Sequence, residues 1–188
     1  SIDTQISGNV ETLVVTVKNC RHTPFQPTKA GIELGIDTYM DHYPEWNDKF
    51  FPTLMMCEPR HFYGYLQSPS GRMKAVASAD AIASWSLDYN LGYQDPAPHW
   101  FMGHRVKSLR IDLLAALPLP AHHPQNLWQL LPGEERTWTL KIIDINDPDD
   151  FEATVSRECN IPMLHLDNTS SAPGNAITFE VYGNNPAV

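Results

Sequence analysis

The sequence predicts an all-β protein, an antiparallel β-sandwich of super-sandwich or immunoglobulin-like type with few short helices. Short segments in which apolar and polar residues alternate recur along the chain, as they do in strands with one buried face. Clusters of turn-forming residues separate these segments, which is typical of sandwiches and barrels. The sixteen prolines also disfavour long helices.

The clearest predicted strand follows a turn at Pro132 and Gly133. Apolar residues occupy every second position after this turn, so they share one face of the strand. The predicted buried face holds Trp138, Leu140 and Ile142, and the opposite face holds Thr137, Thr139 and Lys141. Trp138 is therefore predicted to lie in the core.

The same alternation predicts further strands at 10–18, 32–36, 61–67, 73–77, 107–113, 151–155 and 177–181. Helical signal is limited to one turn within 125–131 and an ambiguous stretch at 79–84. The stretch 39–59 has little periodicity and many aromatic residues, so we predict a long structured loop there. Loops of that length in compact domains often bind ligands or form interfaces.

The length of 188 residues predicts a single domain, 1–188, with a core large enough to fold without disulfide bonds. A net charge of −9 disfavours binding to phosphate backbones and to anionic lipid surfaces. We therefore predict neither a nucleic-acid nor a membrane partner. The terminal residues read as those of a domain from a longer protein, because Ser1 is not an initiator and the last residues resemble a linker.

Metal-binding signals are weak throughout the sequence. The three cysteines lack C-x-x-C spacing and are predicted to be small buried residues, with one disulfide as the open alternative. Asp144, Asn146 and Asp147 offer hard oxygen ligands of the kind that bind calcium. Their spacing departs from the EF-hand pattern, so an Asx-rich turn between two strands is the favoured interpretation. No cofactor is predicted, and calcium is the alternative left open.

Aromatic residues in predicted loops and at strand starts are the candidate sugar-binding groups. Their rings can stack on the C–H faces of a sugar while neighbouring carboxylates and amides bond its hydroxyls. The predicted contact residues are Tyr43, Trp46, His61, Tyr63 and Trp100. The alternative is that these rings pack on the sandwich itself or on a neighbouring domain.

Proton transfer would need a base within hydrogen-bond reach of the substrate, which a sequence does not display. The candidates are Glu58, His61 and Asp88, since carboxylates and imidazoles exchange protons. A Glu–Arg pair at a strand start more often forms a structural ion pair, so an ion pair between Glu58 and Arg60 is the favoured interpretation of the first of these. We therefore assign no catalytic residue.

Seven short motifs are spread over nearly the whole chain, at 35–40, 43–47, 57–65, 68–71, 83–90, 103–105 and 131–134. They include Tyr43-Pro44-Glu45-Trp46-Asn47 and Ala83-Ser84-Trp85-Ser86-Leu87-Asp88-Tyr89-Asn90. Together they resemble the amino-terminal β-sandwich domain of large secreted glycoside hydrolases and polysaccharide lyases of gut Bacteroidetes. In those enzymes the sandwich precedes a catalytic α/α-toroid.

The resemblance implies a non-catalytic accessory domain, located in the periplasm or outside the cell. Its implied partners are a C-terminal catalytic domain in the same polypeptide and the polysaccharide substrate. Two alternatives remain open at this point. One is a stand-alone carbohydrate hydrolase or lyase, and the other is an immunoglobulin-like adhesion or structural module.

Overall fold

The computed structural model describes residues 1–36, 45–90, 105–167 and 170–183. Within these ranges the chain forms eleven strands, one α-helix and two short 3-10 segments. The strands are β1 (Ile2–Ser7), β2 (Val10–Lys18), β3 (Ala30–Gly35), β4 (Phe51–Cys57), β5 (Phe62–Gln67), β6 (Met73–Ser78), β7 (Ser84–Asn90), β8 (Arg105–Leu114), β9 (Glu135–Ile145), β10 (Met163–Leu166) and β11 (Phe179–Tyr182). The 3-10 segments are Glu45–Asp48 and Pro148–Asp150, and helix α1 spans Phe151–Cys159.

Two antiparallel sheets pack face to face, which confirms the predicted all-β sandwich. The first sheet has the order β1-β2-β9-β6-β5-β4, and the second has the order β3-β8-β7. Their facing side chains form the larger apolar cluster of the protein. Its fully buried members include Phe62, Val76, Leu109, Ile111 and Leu140.

A second apolar cluster lies on the outer face of the first sheet, where α1 and the β10–β11 hairpin pack. The helix contributes Phe151, Val155 and Cys159, and the sheet contributes Ala75 and Ile143 among others. The first sheet is therefore covered on both faces. Strand β1, at one edge of this sheet, is exposed along its whole length.

The predicted strand after Pro132 is β9, and its predicted faces are confirmed. Trp138 is 2% exposed, and its indole N–H donates a 2.9 Å hydrogen bond to the Ala81 carbonyl. The preceding turn has Gly133 at φ 78°, a conformation that favours glycine. Glu134 closes the turn by accepting from the Leu131 N–H at 2.7 Å, and this bond lowers the pKa of its carboxyl group.

The predicted strand at 151–155 is wrong, because this segment begins helix α1. Apolar residues at 151, 155 and 159 would share one face in a strand and also in a helix. The chain forms the helix, which buries all three. Asp147 caps the 3-10 turn before the helix by accepting from the Asp149 N–H at 3.1 Å. The favoured Asx-rich turn thus joins a strand to a helix rather than two strands.

Two other predictions need correction. The segment 39–59 is not loop throughout, since β4 occupies Phe51–Cys57 and pairs with β5. No helical turn forms within 125–131, where Leu130 makes an isolated bridge to Phe25. Tertiary pairing decides both cases, because neither segment has a strong local period of its own.

The three cysteines carry free thiols. Cys57 and Cys159 are buried, as predicted, but Cys20 is exposed, so the prediction that all three are small buried residues is wrong for Cys20. Burial raises the pKa of the Cys57 and Cys159 thiols to about 11, so both stay protonated and unreactive at neutral pH.

Candidate functional site

Half-buried aromatic and carboxylate side chains gather on the outer face of the first sheet, beside α1 and the β10–β11 hairpin. We call this group the outer tyrosine site. Its members are Glu58, His61, Tyr63, Glu152, His165 and Tyr182. They come from the β4–β5 turn, β5, α1, β10 and β11, so the site exists only in the folded protein.

The β4–β5 turn and β5 present His61 and Tyr63 side by side. The Glu58 N–H bonds to the His61 carbonyl at 3.0 Å, which closes the turn. His61 and Tyr63 are two positions apart on extended backbone, so their side chains lie on the same face of the strand. They stack with centroids 5.9 Å apart and planes 18° from parallel. Tyr65, the next residue on that face, contacts the edge of Phe151 and anchors the strand against α1.

Burial and neighbouring carboxylates set the protonation of these two rings. Burial lowers the pKa of His61, against the opposing effect of Glu58. Burial also raises the pKa of Tyr63, and the carboxylates of Glu58 and Glu152 raise it further. At neutral pH the site therefore presents a neutral imidazole and a protonated phenol.

Helix α1 and the hairpin supply the other half of the site. Glu152, in the first turn of α1, lies 3.3 Å from His165 Nδ1. The Tyr182 hydroxyl donates a 2.6 Å hydrogen bond to Glu180, which raises the pKa of this phenol. Glu152 raises the pKa of Tyr182 as well as that of Tyr63. The negative charge of Glu152 therefore acts on both phenols and favours their protonated form.

The chemistry of this group suits recognition better than catalysis. Phenol hydroxyls and an imidazole N–H can donate hydrogen bonds, and carboxylates can accept them. The aromatic faces offer apolar area that remains partly accessible. Neither tyrosine is set up to act as a base at neutral pH, because its pKa is raised.

The structure places some of the sequence-predicted residues together. His61, Tyr63 and the catalytic candidate Glu58 belong to the outer tyrosine site. Asp88 lies on β7, in the second sheet. Tyr43 and Trp100 lie outside the described residues. The backbone of Trp46 belongs to the first 3-10 segment, but its side chain is not among those the structure describes.

The calcium candidates serve other purposes within the fold. Asp144 forms an ion pair with Lys74, and Asp147 caps the turn before α1. Asn146 is exposed between them. Within the described ranges, no group of three or more His, Cys, Asp or Glu side chains is arranged to hold a metal ion.

Sequence reasoning missed Glu152, His165 and Tyr182, which belong to segments far from β5 in the chain. Recognising α1 would have revealed part of the site. Its buried positions are spaced as a helix requires, at Phe151, Thr154, Val155 and Cys159. A helix after the β9 strand would have placed Glu152 in its first turn.

The lowered pKa of His61 predicts a specific pH dependence of stability. In the unfolded state His61 has its usual pKa of 6.5, so it takes up a proton at a higher pH than it does in the folded state. The free energy of unfolding should therefore decrease as the pH falls from about 8 to about 5. His61→Gln should lose this contribution and show a flatter profile in urea unfolding. His22→Gln, at an exposed histidine, is the matched control. Identical profiles for His61→Gln and the wild type would contradict the prediction.

No protein-family model matches the sequence, and no curated protein is significantly similar to it. Among the described residues, none of the helical segments has the length and apolar character to cross a membrane. The fold is similar to part of a solved polysaccharide lyase, with a TM-score of 0.61 and 14% sequence identity. The similarity covers 88% of this chain and 22% of the lyase chain. At this identity the comparison establishes a shared β-sandwich fold.

Proposed function

We propose that the chain is a non-catalytic accessory β-sandwich domain of a longer, periplasmic or extracellular polysaccharide-degrading polypeptide. In this proposal it packs on a C-terminal catalytic domain and contacts the polysaccharide through the outer tyrosine site. The observation that carries the proposal is the fold similarity to 22% of a polysaccharide lyase chain. A sandwich that recurs as a minor part of such an enzyme fits a supporting role.

An exposed apolar surface supports the packing part of the proposal. In the β10–β11 hairpin, Leu164 pairs with Val181 and Leu166 pairs with Phe179. All four side chains are exposed, and Phe179 and Val181 are 59% and 67% exposed. Apolar cross-strand pairs on an open face are typical of a surface that another domain covers.

The outer tyrosine site supports the glycan-contact part. Sugars bind to aromatic faces bordered by hydrogen-bonding groups, and Tyr63 provides such a face beside Glu58 and Glu152. The stacked His61 ring holds Tyr63 in place. The acidic residues of the site accept hydrogen bonds from hydroxyls and disfavour strongly anionic ligands. We therefore expect neutral glycan segments to bind best.

Affinity gel electrophoresis with neutral and uronic-acid polysaccharides tests glycan contact. We expect retardation of the wild-type chain by at least one neutral polysaccharide, and about tenfold weaker retention of Tyr63→Ala because a central aromatic contact is lost. Tyr63→Phe keeps the ring and should retain most of the binding. Tyr89→Ala removes an exposed tyrosine from the second sheet and serves as the matched control.

The outcomes separate the alternatives. Equal retention of Tyr63→Ala and Tyr89→Ala would reject the outer tyrosine site as the contact surface. Turnover of a polysaccharide by the isolated chain, abolished by Glu58→Gln, would favour the stand-alone enzyme instead. Circular dichroism of each variant checks that a loss of binding does not reflect unfolding.

A further inference from the structure

Strand β1 forms an open edge of the first sheet. Among the strands that the structure describes it pairs with β2 alone, and all six of its residues are exposed. The Ser1 amino group and the Thr16 N–H each donate to the carbonyl of the other residue, at 2.9 Å and 3.0 Å. Odd-numbered residues of β1 therefore bond to β2, and the N–H and C=O groups of Ile2, Thr4 and Ile6 point to the open side.

The other edge strand of this sheet, β4, carries two features that hinder pairing with a further strand. Pro52 lacks an N–H, and the register of β4 against β5 shifts between Pro52 and Leu54. Strand β1 has neither feature. It contains no proline, lysine or arginine, and its pairs with β2 follow one register without a shift. The unprotected edge of the sheet is therefore β1.

This edge also exposes apolar side chains beside the main core. Ile2 lies opposite Val15 on β2, so the two side chains share a face. Because Val15 belongs to the cluster between the sheets, this is the inner face of the first sheet. Thr4 and Ile6 follow at alternate positions and lie on the same face. Ile2 and Ile6 are 61% and 72% exposed, so β1 extends this face beyond the part that the second sheet covers.

We propose that the open edge of β1 binds the same edge of a second copy of this chain. Antiparallel pairing centred on Thr4 places Thr4 opposite its counterpart, and it places Ile2 of each copy opposite Ile6 of the other. The backbone groups of these residues face outwards, so about six hydrogen bonds form across the twofold axis. The isoleucines of both copies meet on one face. The proposal is independent of the accessory-domain function.

Charge complementarity selects this register. Centring on Thr4 puts the Asp3 carboxylate of one copy opposite the Gln5 side-chain amide of the other, which can donate to it. Centring on Asp3 would oppose two carboxylates. Centring on Gln5 would leave Ile2 opposite Gly8, beyond the strand. An extended peptide of unrelated sequence has no such match, and this favours a second copy as the partner.

The interface is small, so the dimer should be weak. A strand of six residues is about 20 Å long, and pairing along it buries less than the roughly 800 Å² per partner of a standard interface. Both copies carry a net charge of −9, which opposes association at low salt. We expect sedimentation equilibrium of the whole chain to give a dissociation constant on the order of 100 µM at about 0.15 M salt, and severalfold tighter association at about 0.5 M salt.

Opposite charges at Thr4 test the register. Thr4→Lys and Thr4→Glu should each be monomeric at about 0.5 mM protein, because like charges would lie directly opposite at the twofold axis. An equimolar mixture of the two variants should dimerise at least as tightly as the wild type. The matched control is Thr53, an exposed threonine of β4. Thr53→Lys and Thr53→Glu, alone or mixed, should associate as the wild type does.

Hydrogen exchange of the unmodified chain provides a readout that depends on no variant. Backbone amides that become bonded across the dimer are protected from exchange. The peptide that covers β1 should therefore exchange about threefold more slowly at about 0.5 mM protein than at about 5 µM. Phe179→Thr makes the exposed hairpin more polar and should change neither the exchange nor the dissociation constant.

Three results would each overturn the proposal. The first is a wild type that stays monomeric at about 0.5 mM protein at both salt concentrations, which would leave β1 to an extended segment of a different protein or domain. The second is a mixture of the two Thr4 variants that stays monomeric. The third is loss of dimerisation in Phe179→Thr, because association would then occur through the hairpin.

Discussion

Gly31→Ala is expected to lower the free energy of unfolding by about 3 kcal/mol or more, because the protein has no room for one extra methyl group there. A Cβ atom at residue 31 would lie 1.8 Å from the Ile111 carbonyl oxygen and 2.9 Å from the Asp112 Cα. Both contacts are with the backbone of β8, so no side-chain rotation relieves them. Strand β3 would have to move away from β8, to which it is paired along its length.

The consequence reaches the core, because β3 carries Ile32 and Leu34 into the cluster between the sheets. The register of β3 against β8 also shifts between Ala30 and Gly31, which brings the two backbones together at this point. Urea unfolding followed by tryptophan fluorescence measures the loss. A marked decrease in the cooperativity of the transition would accompany detachment of β3.

Gly35→Ala is the matched control, in the same strand. A Cβ atom at residue 35 meets no atom of the described residues within 4 Å. Alanine also loses less conformational freedom on folding than glycine does, so this variant should be neutral or stabilised by up to about 1 kcal/mol. Equal stability of the two alanine variants would show that β3 and β8 do not approach as closely as described.

The strands that the sequence predicts best lie in the first sheet. Val10–Lys18 is β2 with the predicted inner face of Leu13, Val15 and Val17. β9 is equally clear from Trp138 and Leu140. These strands have one face in the main core and long stretches of alternation. A two-residue period can therefore be read locally, before any partner strand is known.

The prediction failed where two periods coincide or where burial is reversed. Phe151 and Val155 are four residues apart, a spacing that suits both a strand face and a helix face. Phe179 and Val181 alternate as a buried strand face would, yet they point to solvent. Alternation reveals that two residues share a face, but only the packed structure decides which face is covered.

The candidate site shows the same limit. His61 and Tyr63 could be proposed from sequence because they are aromatic residues at the start of a predicted strand. Glu152 and Tyr182 join them through the packing of α1 and β11 on the first sheet, contacts between segments distant in sequence.

Among the charged residues that the structure describes, Asp112 is the one whose substitution should cost the most stability. It is completely buried in β8. Ser84 donates to its carboxylate at 2.7 Å, Lys29 lies 3.0 Å from it, and Arg110 donates at 3.1 Å. Across the described ranges, no buried side-chain nitrogen or oxygen lacks a hydrogen-bond partner. The carboxylate is thus stabilised by two cations and a hydroxyl that offset its desolvation.

Asp112→Ala should lower the free energy of unfolding by about 2–3 kcal/mol. Breaking a buried ion pair usually costs about 3–5 kcal/mol, but solvent reaches the side chains of both cations and reduces the loss. Asp112→Asn keeps the shape and part of the hydrogen bonding, so its loss should be smaller. Urea unfolding at low and high salt measures both variants.

Asp144→Ala is the comparison for Asp112→Ala, because it removes an ion-paired carboxylate that is exposed rather than buried. Asp144 also pairs with a lysine, Lys74, but its side chain is 48% exposed. Its removal should cost less than about 1 kcal/mol, and high salt should erase most of that difference. The loss for Asp112→Ala should persist in salt, because screening is weak at a buried carboxylate.

Asp112 connects the segment before β3, the start of β7 and β8 through Lys29, Ser84 and Arg110. If Asp112→Ala and Asp144→Ala cost the same, the buried carboxylate does not hold these three parts of the second sheet together, and apolar packing alone positions them.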